Sequence, residues 1–322
     1  MPGNDRTKVA WWHRLRVYFA HMARPSHALY DELVRNGLIT AGTLTPFHPA
    51  VRDRPDVEVW RCERSGVILL DRIDHIGTNY YPDQAGLSYW DPQGRAQGLV
   101  ATREDDIRRA HWVSQMIAGR RFLDIGTGLG GVLDLVRPIA AQVAPVEPQA
   151  EAAAMLRGLG YEVHSTAQEL TSSGIRFDVA TLFHVFEHMT RPLEELQHIH
   201  QLLDTGGRIV VEVPHARDAL ITRFACLPFR QFTFWSEHLV LHTRDSLSRY
   251  LELAGFVDVQ VTGVQRYPLA NHLYWLSNGG PGGQARWPDL RSGPVDQAYA
   301  ELLDRADLTD TLIAVGTKKE HS

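Results

Sequence analysis

The sequence predicts an α/β fold in which an open, mostly parallel sheet carries helices on both faces. From Arg121 onward, short apolar segments of strand character alternate with segments of helical periodicity, and such alternation is typical of strand–helix–strand units. The first apolar segment runs directly into a glycine-rich turn, Gly126-Thr127-Gly128-Leu129-Gly130-Gly131. A turn of this kind at the carboxyl edge of a parallel sheet lets a ligand approach bare backbone.

The individual elements follow from hydrophobic periodicity and from the turn residues between them. Strands are predicted at residues 121–126, 142–147, 162–165, 177–183, 207–213, 257–264 and 310–317. Helices are predicted at residues 132–137, 149–159, 192–203, 244–254 and 295–306. The segment 266–275 is expected to be a connecting loop.

Residues 1–117 are expected to form a cap region ahead of the alternating part. Residues 1–40 have helical character with a break at Pro25, residues 57–62 and 66–70 have strand character, and residues 104–115 have helical character. Residues 118–322 then form the ligand-binding domain, with inserts at 215–243 and 265–309.

Composition and charge exclude several classes of protein. A chain of 322 residues, 44% hydrophobic and 22% charged, can bury a sizeable core. The net charge of -5 argues against a general nucleic-acid binder. Two cysteines without partners at metal spacing favour a reducing, cytoplasmic location. No apolar run reaches the length of about 18 residues that a transmembrane helix needs, so none is expected.

One face of a predicted helix over residues 9–22 is apolar and aromatic. Trp11, Trp12, Leu15, Tyr18 and Phe19 fall on this face. The pattern favours packing against the chain's own domain or against a second copy in a homodimer. A weak peripheral contact with a membrane surface is the alternative.

Two glycine patterns fit the turn, and they imply different cofactors. Gly126-x-Gly128-x-x-Gly131 matches the dinucleotide fingerprint, whereas Asp124-x-Gly126-x-Gly128-x-Gly130 places an acid two residues before the first glycine. Glu147 ends the next predicted strand, where a carboxylate can accept hydrogen bonds from both ribose hydroxyls of either cofactor. The turn alone therefore does not decide between two cofactors, a nicotinamide dinucleotide and an adenosyl sulfonium.

Several segments together resemble the class I S-adenosylmethionine-dependent methyltransferases. The matching pieces are the stretch from Leu123 to Gly130, the acid at Glu147, and the segments 177–189 and 206–214, so that the resemblance covers about residues 118–265 and 310–318. The sequence most resembles methyltransferases of the ubiquinone-biosynthesis type and relatives that modify sugars and polysaccharides. The resemblance implies a Rossmann-like sheet of seven strands, mostly parallel with an antiparallel last strand.

The resemblance also implies S-adenosylmethionine as cofactor and S-adenosylhomocysteine as product. The residues expected to bind it are Asp124, Gly126, Thr127, Gly128, Gly130, Glu147, Gln168, Phe183 and His184. Many such relatives hold zinc through Cys-x-x-Cys pairs near the N-terminus. Here Cys62 is followed by Ser65 and no second pair exists, so no metal is expected.

A hydroxyl acceptor needs a proton acceptor, and histidine suits that task near neutral pH. His188 is the first candidate, with Glu187 as its polar neighbour, because the family places a Glu-His pair beside the substrate. His184 is a second candidate, since residues four apart share a face if the segment is helical. His238 is a third, in the stretch that lids the acceptor pocket in similar enzymes. A purely structural hydrogen bond is the alternative for His184 and His188.

The acceptor is expected to be a small hydroxylated molecule such as a sugar, a nucleotide sugar or a polysaccharide terminus. Methylation of an oxygen is expected, and methylation of a carbon is the alternative. The segment 266–275 is dense in aromatic and hydrogen-bonding side chains, which suits such a ring. The expected acceptor-binding residues are Tyr81, Trp235, Arg266, Tyr267, Asn271 and His272. A packed arm or a dimer contact is the alternative for residues 266–275.

Two other functions stay open at this point. Gly131 suggests an NAD-dependent oxidoreductase, although no recognisable hydride-transfer constellation accompanies it. The other is a non-catalytic protein that binds the cofactor and acts as a partner subunit. The intact Asp124, glycines and Glu147 argue against lost cofactor binding.

Overall fold

Ten strands form two sheets in the computed structural model, which describes residues 24–77, 80–83, 94–171 and 174–319. In chain order the strands of this described part are β1 (Leu44–His48), β2 (Val59–Cys62), β3 (Ile68–Leu70), β4 (Arg121–Ile125), β5 (Gln142–Val146), β6 (Phe177–Phe183), β7 (Leu203–Pro214), β8 (Val240–Leu241), β9 (Phe256–Val264) and β10 (Thr311–Lys318).

The central sheet has the strand order β5-β4-β6-β7-β10-β9. Strands β5, β4, β6 and β7 are mutually parallel, whereas β10 lies between β7 and β9 and is antiparallel to both. The parallel strands are apolar and buried, as in β6, because helices cover both faces of the sheet. The predicted α/β class and the antiparallel last strand are confirmed.

The predicted count of seven strands is wrong for the described residues, because the segment 162–165 forms only an isolated bridge. His164 N–H donates to Pro145 O at 3.1 Å, and Glu147 N–H donates to His164 O at 2.9 Å. The next bond of this parallel ladder needs an N–H from Pro145, and proline has none. The ladder therefore stops after one residue pair.

The helices flank the central sheet and connect its strands. They are α1 (Ala28–Arg35), α2 (Tyr80–Asp83), α3 (Arg95–Ile117), α4 (Gly131–Val136), α5 (Ala150–Gly158), α6 (Ala167–Thr171), α7 (Pro192–Leu202), α8 (Leu227–Thr233), α9 (Arg244–Leu253), α10 (Leu269–Asn278), α11 (Gly283–Arg286) and α12 (Gly293–Arg305). Helix α9 begins with a capping box in which Thr243 and Ser246 satisfy each other's backbone N–H groups.

A small antiparallel sheet, β1-β2-β3-β8, lies beside the central one. Its last strand comes from the segment after Pro214, so this sheet joins the N-terminal region to the larger domain. The division at residue 117 stays a prediction. A continuous apolar cluster connects the two sheets, from Trp60 and Leu69 to Val211 and Leu182. A second cluster packs α3 against the other face of the central sheet through Val113, Ile117 and Phe122.

The segment 266–275, expected as a loop, contributes most of helix α10. Its buried face consists of Ala270, Asn271, His272 and Trp275, so tertiary packing orders what composition alone presents as loop. The predicted helix over residues 9–22 lies outside the described residues. Within the described part, no helix has the length and apolar character needed to cross a membrane.

Candidate active site

A cavity of about 890 Å³ opens at the carboxyl ends of β4, β5 and β6, the edge where ligands bind in open α/β sheets. Its volume falls within the range of about 300–1,000 Å³ that is typical of small-molecule sites. We call one part of its wall the glycine end, formed by Gly126, Thr127, Gly128, Glu147 and Gln168, and the other the histidine end, formed by Ile73, Ile76, Tyr81, His188, Met189 and Glu237. Phe183 and His184, where β6 ends, also line the cavity.

The glycine turn leaves β4 and is held against β5. Gly126 N–H donates to Val146 O at 2.8 Å, and Gly126 adopts a φ of 69°, which side chains disfavour. A Cβ at this position would lie 2.4 Å from Val185 Cγ2. Glycine is therefore required both by the backbone conformation and by the lack of space. Gly128 N–H donates to Glu147 Oε2 at 2.7 Å, which fixes the tip of the turn.

Asp124 supports the glycine turn through a contact with Thr127 and does not itself line the cavity. Its Oδ1 accepts a hydrogen bond from Thr181 Oγ1 at 2.6 Å, and its Oδ2 accepts one from Thr127 Oγ1 at 3.0 Å. Burial raises the pKa of this carboxyl to about 6, although the two hydroxyl groups oppose the change. Asp124 thus positions Thr127, which does face the cavity.

Glu147 lies at the predicted place, after β5. Besides the bond from Gly128, its Oε1 accepts a hydrogen bond from Gln149 N–H at 2.8 Å. Burial raises the pKa of Glu147, and these two backbone donors oppose that effect. Gly130, by contrast, does not line the cavity: a Cβ there would lie 2.6 Å from Leu156 Cδ2, so its role is close packing.

His188 is the central group of the histidine end. It closes a 3₁₀ turn, Phe186–His188, directly after β6. Its Nδ1 lies 3.2 Å from Tyr81 Oη and 3.7 Å from Glu237 Oε2. Burial lowers the pKa of His188, and the nearby Glu187 and Glu237 only partly offset this effect. The imidazole is therefore neutral near pH 7 and has a lone pair with which to accept a proton.

His184 is held too firmly to serve as the proton acceptor that the sequence suggested. Its Nε2 lies 3.0 Å from Arg266 Nη1, and its Nδ1 lies 3.1 Å from Glu187 Oε1. Because a guanidinium only donates, Nε2 accepts and Nδ1–H donates to the carboxylate. The expected α-helical relation with His188 is also wrong, since His184 has a φ of 55°, a strained value for a residue with a Cβ.

His238 and Glu187 stand behind His188, outside the cavity lining. The rings of His188 and His238 have centroids 5.1 Å apart, and burial lowers the pKa of His238 to about 3. Burial would raise the pKa of Glu187, but the hydrogen bond from His184 opposes this effect, and the pKa lies below its usual value. Of the predicted base candidates, His188 is the one with both access to the cavity and an uncommitted nitrogen.

Residues 102–261 match the family model described as Methyltransferase domain. These residues form a methyltransferase domain, and the comparisons support its place among the class I S-adenosylmethionine-dependent methyltransferases. It is 31% identical over 137 residues to the ubiquinone biosynthesis O-methyltransferase of Ruegeria pomeroyi, with 37% of this chain and 55% of the relative covered. The protein of the same name from Alkalilimnicola ehrlichii is 28% identical over 139 residues, with 40% of this chain and 55% of the relative covered. The chain thus spans about half the length of these curated relatives.

A solved structure shows the same fold. It is a chain in the complex between the Haloferax volcanii Trm112 methyltransferase activator and a protein described as a methyltransferase. The TM-score is 0.50 at 15% sequence identity, and the alignment covers 74% of this chain and 99% of that one.

The cofactor of this methyltransferase is S-adenosylmethionine, and the nicotinamide alternative is set aside. Two features of the glycine end fit this cofactor. The turn leaves no space for a Cβ at Gly126, so backbone lies at the cavity wall. The buried Glu147 carboxylate, after β5, also lines that wall. Gln168, at the start of α6, lines the same end and lies 3.0 Å from His198 Nδ1 through its Nε2.

A buried ion-pair network behind the site was not foreseen from the sequence. Glu212 on β7 is fully buried and accepts hydrogen bonds from Arg108 and Arg109 of α3 at 2.7–3.0 Å. Asp105 of the same helix pairs with Arg266, which in turn holds His184. One charged residue in the apolar run Ile209-Val210-Val211-Glu212-Val213 was the available sign, because a buried charge requires a partner.

Most of the predicted acceptor-binding residues lie outside the cavity lining. Arg266 is committed to the network, Asn271 Oδ1 accepts from Gly282 and Gly283 N–H at 3.2 Å, and His272 Nδ1 lies 2.8 Å from Tyr299 Oη. These three, with the half-exposed Tyr267 and the buried Trp235, pack or support neighbouring segments. Only Tyr81 of the predicted set lines the cavity.

Glu187, His188 and His238 could together hold a metal ion, which the sequence did not predict. One ligand atom from each lies within 4.8 Å of the others. Glu187 Oε2 and His238 Nδ1 are buried and have no hydrogen-bond partner. Carboxylate and imidazole form a donor set that several divalent metals accept.

Proposed function

We propose that this protein transfers a methyl group from S-adenosylmethionine to a hydroxyl of a small hydroxylated acceptor. The observation that carries the proposal is the single cavity that joins the glycine end to the neutral His188. The cofactor supplies an electrophilic methyl group on a sulfonium. Transfer to an oxygen is an in-line displacement, so the protein must align the acceptor with the methyl group and exclude water.

The glycine end is proposed to bind the cofactor. Gly126, Thr127 and Gly128 present backbone to its methionine portion, and Glu147 accepts hydrogen bonds from its ribose hydroxyls with the lone pairs that Gly128 and Gln149 leave free. Gln168 borders the adenine, and Phe183 the sulfonium. Asp124 and Gly130 act indirectly, through Thr127 and through packing against α5.

His188 is proposed to take the acceptor proton. If Nδ1–H donates to Tyr81 Oη at 3.2 Å, Nε2 keeps its lone pair and receives the proton of the hydroxyl. Glu187 and Glu237, at 3.8 and 3.7 Å, stabilise the imidazolium that forms. Arg266 fixes the tautomer of His184, which keeps Glu187 in place.

The proposed acceptor is a saccharide or a similar polyol, methylated on oxygen. Tyr81, His188 and Glu237 offer the planar and charged hydrogen-bonding groups that such a ring needs. A phenolic acceptor of the ubiquinone-biosynthesis kind is a second candidate. The relatives' names suggest it, and the apolar side chains of Ile73 and Ile76 in the same wall favour an aromatic ring.

Calorimetry with S-adenosylhomocysteine and with NADH tests the cofactor, and a mass search for methylated products among glycosides and catechols tests the acceptor. His188→Ala should preserve S-adenosylhomocysteine binding while turnover falls by about 10²–10⁴-fold. Because the pKa of His188 is lowered, the acid limb of kcat/KM should lie below the usual histidine pKa of about 6.5. Unchanged turnover in His188→Ala would remove the base from this proposal, and binding of NADH alone would remove the cofactor.

We also propose a cytoplasmic location. Cys62 and Cys226 are both free and buried, which fits a reducing compartment. The homodimer and the peripheral membrane contact of residues 9–22 are predictions that sedimentation and vesicle flotation can check.

A further inference from the structure

The histidine end carries an excess of negative charge close to the proposed point of transfer. Glu187 and Glu237 are 1% and 5% exposed, and they approach the two ring nitrogens of His188 to 3.8 and 3.7 Å. Two buried carboxylates therefore lie in or directly behind this wall.

The arginines that line the cavity do not offset this charge. Among the described residues these are Arg109 and Arg191. Arg109 donates from Nε and Nη2 to Glu212 at 2.8 and 2.7 Å, and its guanidinium lies over the Phe183 ring. Arg191 is 73% exposed and lies 3.3 Å from Glu194 Oε2, so its charge is both paired and solvated. No lysine lines the cavity among the described residues.

The carboxylate of Glu187 also has unused hydrogen-bonding capacity. Its Oε1 receives the bond from His184, whereas its Oε2 is buried without a partner. Because Glu187 lies outside the cavity lining, its charge acts on a bound ligand through space, where it disfavours a second anion.

We propose that the histidine end selects acceptors by charge: it takes neutral or cationic molecules with hydroxyl donors and rejects those with a phosphate or carboxylate near the methylated hydroxyl. This inference rests on the proposed function and narrows its acceptor class. Neutral glycosides, amino sugars and uncharged catechols fit. Sugar phosphates, uronic acids and the phosphate portion of a nucleotide sugar do not fit at this end of the cavity.

Two matched series of probes test the inference. One contains dihydroxybenzyl alcohol, dihydroxybenzoate and dihydroxybenzylamine, each with vicinal hydroxyls. The other contains methyl glucoside, methyl glucuronide and methyl glucosaminide. Binding to the S-adenosylhomocysteine complex and methylation with labelled S-adenosylmethionine are measured for each. A unit charge about 6 Å from one carboxylate at an effective dielectric constant of about 20 changes affinity by about a hundredfold, so the anionic member should be weaker than the neutral one by about that factor.

Two variants identify the residue responsible. Glu237→Gln removes one charge and keeps an acceptor for Tyr80 Oη, so the ratio of neutral to anionic affinity should fall by about the hundredfold that one carboxylate contributes. Glu252→Gln is the matched control, because Glu252 is exposed on α9 beside Arg249, and it should leave the ratio unchanged. The wild-type ratio tests the inference even if a variant fails to fold.

Different outcomes overturn different statements. Equal affinity for anionic and neutral members in the wild type would overturn the charge selection and leave methyl transfer standing. An unchanged ratio in folded Glu237→Gln would equally overturn it. Failure of all six probes to bind the S-adenosylhomocysteine complex would overturn the hydroxylated acceptor of the proposed function, and the charge selection with it.

Discussion

Asp124→Asn should stabilise the ligand-free protein at neutral pH. Asp124 is 4% exposed, and its carboxyl contacts the hydroxyl groups of Thr181 and Thr127. Burial raises its pKa from the usual 3.8 to about 6. At neutral pH the folded protein therefore carries a charge that the unfolded chain holds more easily in water.

The magnitude and its sign follow from that difference in pKa. Because the folded state binds the proton more tightly, wild-type stability falls as pH rises from about 4 through about 6. The full effect of Asp124 on the free energy of unfolding is about 3 kcal/mol, since one pKa unit corresponds to about 1.4 kcal/mol. The neutral amide avoids this cost, and both threonine hydroxyls can donate to or accept from it.

Urea unfolding of both proteins without cofactor, near neutral pH and near pH 4, measures the effect. The difference between Asp124→Asn and wild type in the free energy of unfolding should grow by about 2–3 kcal/mol from the acidic to the neutral condition. Titrating groups that do not interact with Asp124 cancel in this difference, whereas Glu147, whose pKa Asp124 helps to raise, does not. A difference that is constant with pH, or that grows toward acid, would show that Asp124 is not held as a buried carboxyl of raised pKa.

Three further variants address the site and its support. Glu147→Gln removes one carboxylate oxygen and with it one of the two hydrogen bonds from backbone N–H groups. A hydrogen bond to a charged group contributes about 1.5–3 kcal/mol, so calorimetry should show S-adenosylhomocysteine binding weakened by about 10–100-fold. An unchanged Kd would contradict the proposal that Glu147 binds the ribose. Arg266→Leu removes one of the two arginines that pair with the part-buried Asp105, which keeps Arg108, and should cost about 1–3 kcal/mol in urea unfolding; a cost below about 1 kcal/mol would mean that the pair is solvated. Gly126→Ala should abolish cofactor binding in calorimetry and lower Tm, because its Cβ would lie 2.4 Å from Val185; retained binding would require that the turn can move.

The parts of the fold that were predictable are those determined by local sequence. The glycine turn follows an apolar strand, and the acid at Glu147 ends the next one, so both could be placed before any contact was known. The absence of a seventh strand from the described part of the central sheet was also local in origin, because Pro145 lacks the N–H that its ladder needs. That effect was missed because it acts on the neighbouring strand and not on the strand that contains the proline.

The parts that were not predictable depend on contacts between distant segments. Arg266 and His272 have the composition of a ligand-binding loop, yet their partners are Asp105 in α3 and Tyr299 in α12. No periodicity within residues 266–275 identifies those partners. Polar side chains at an apolar helix face are equally suited to a ligand and to another buried polar group, and only the tertiary structure distinguishes these possibilities.

Because Arg266 and His272 contact distant segments of the protein, the residues that recognise the acceptor should be sought elsewhere. Arg266 cannot contact the acceptor directly while it is bonded to Asp105 and His184, but it fixes the nitrogen that His184 offers to Glu187. Glu187 in turn sets the charge beside His188. In the proposed function, the 265–309 insert therefore acts on His188 indirectly, through the tautomer of His184 and the position of Glu187. We therefore expect direct recognition at the histidine end, where Tyr81 comes from the N-terminal region and Glu237 from the 215–243 insert.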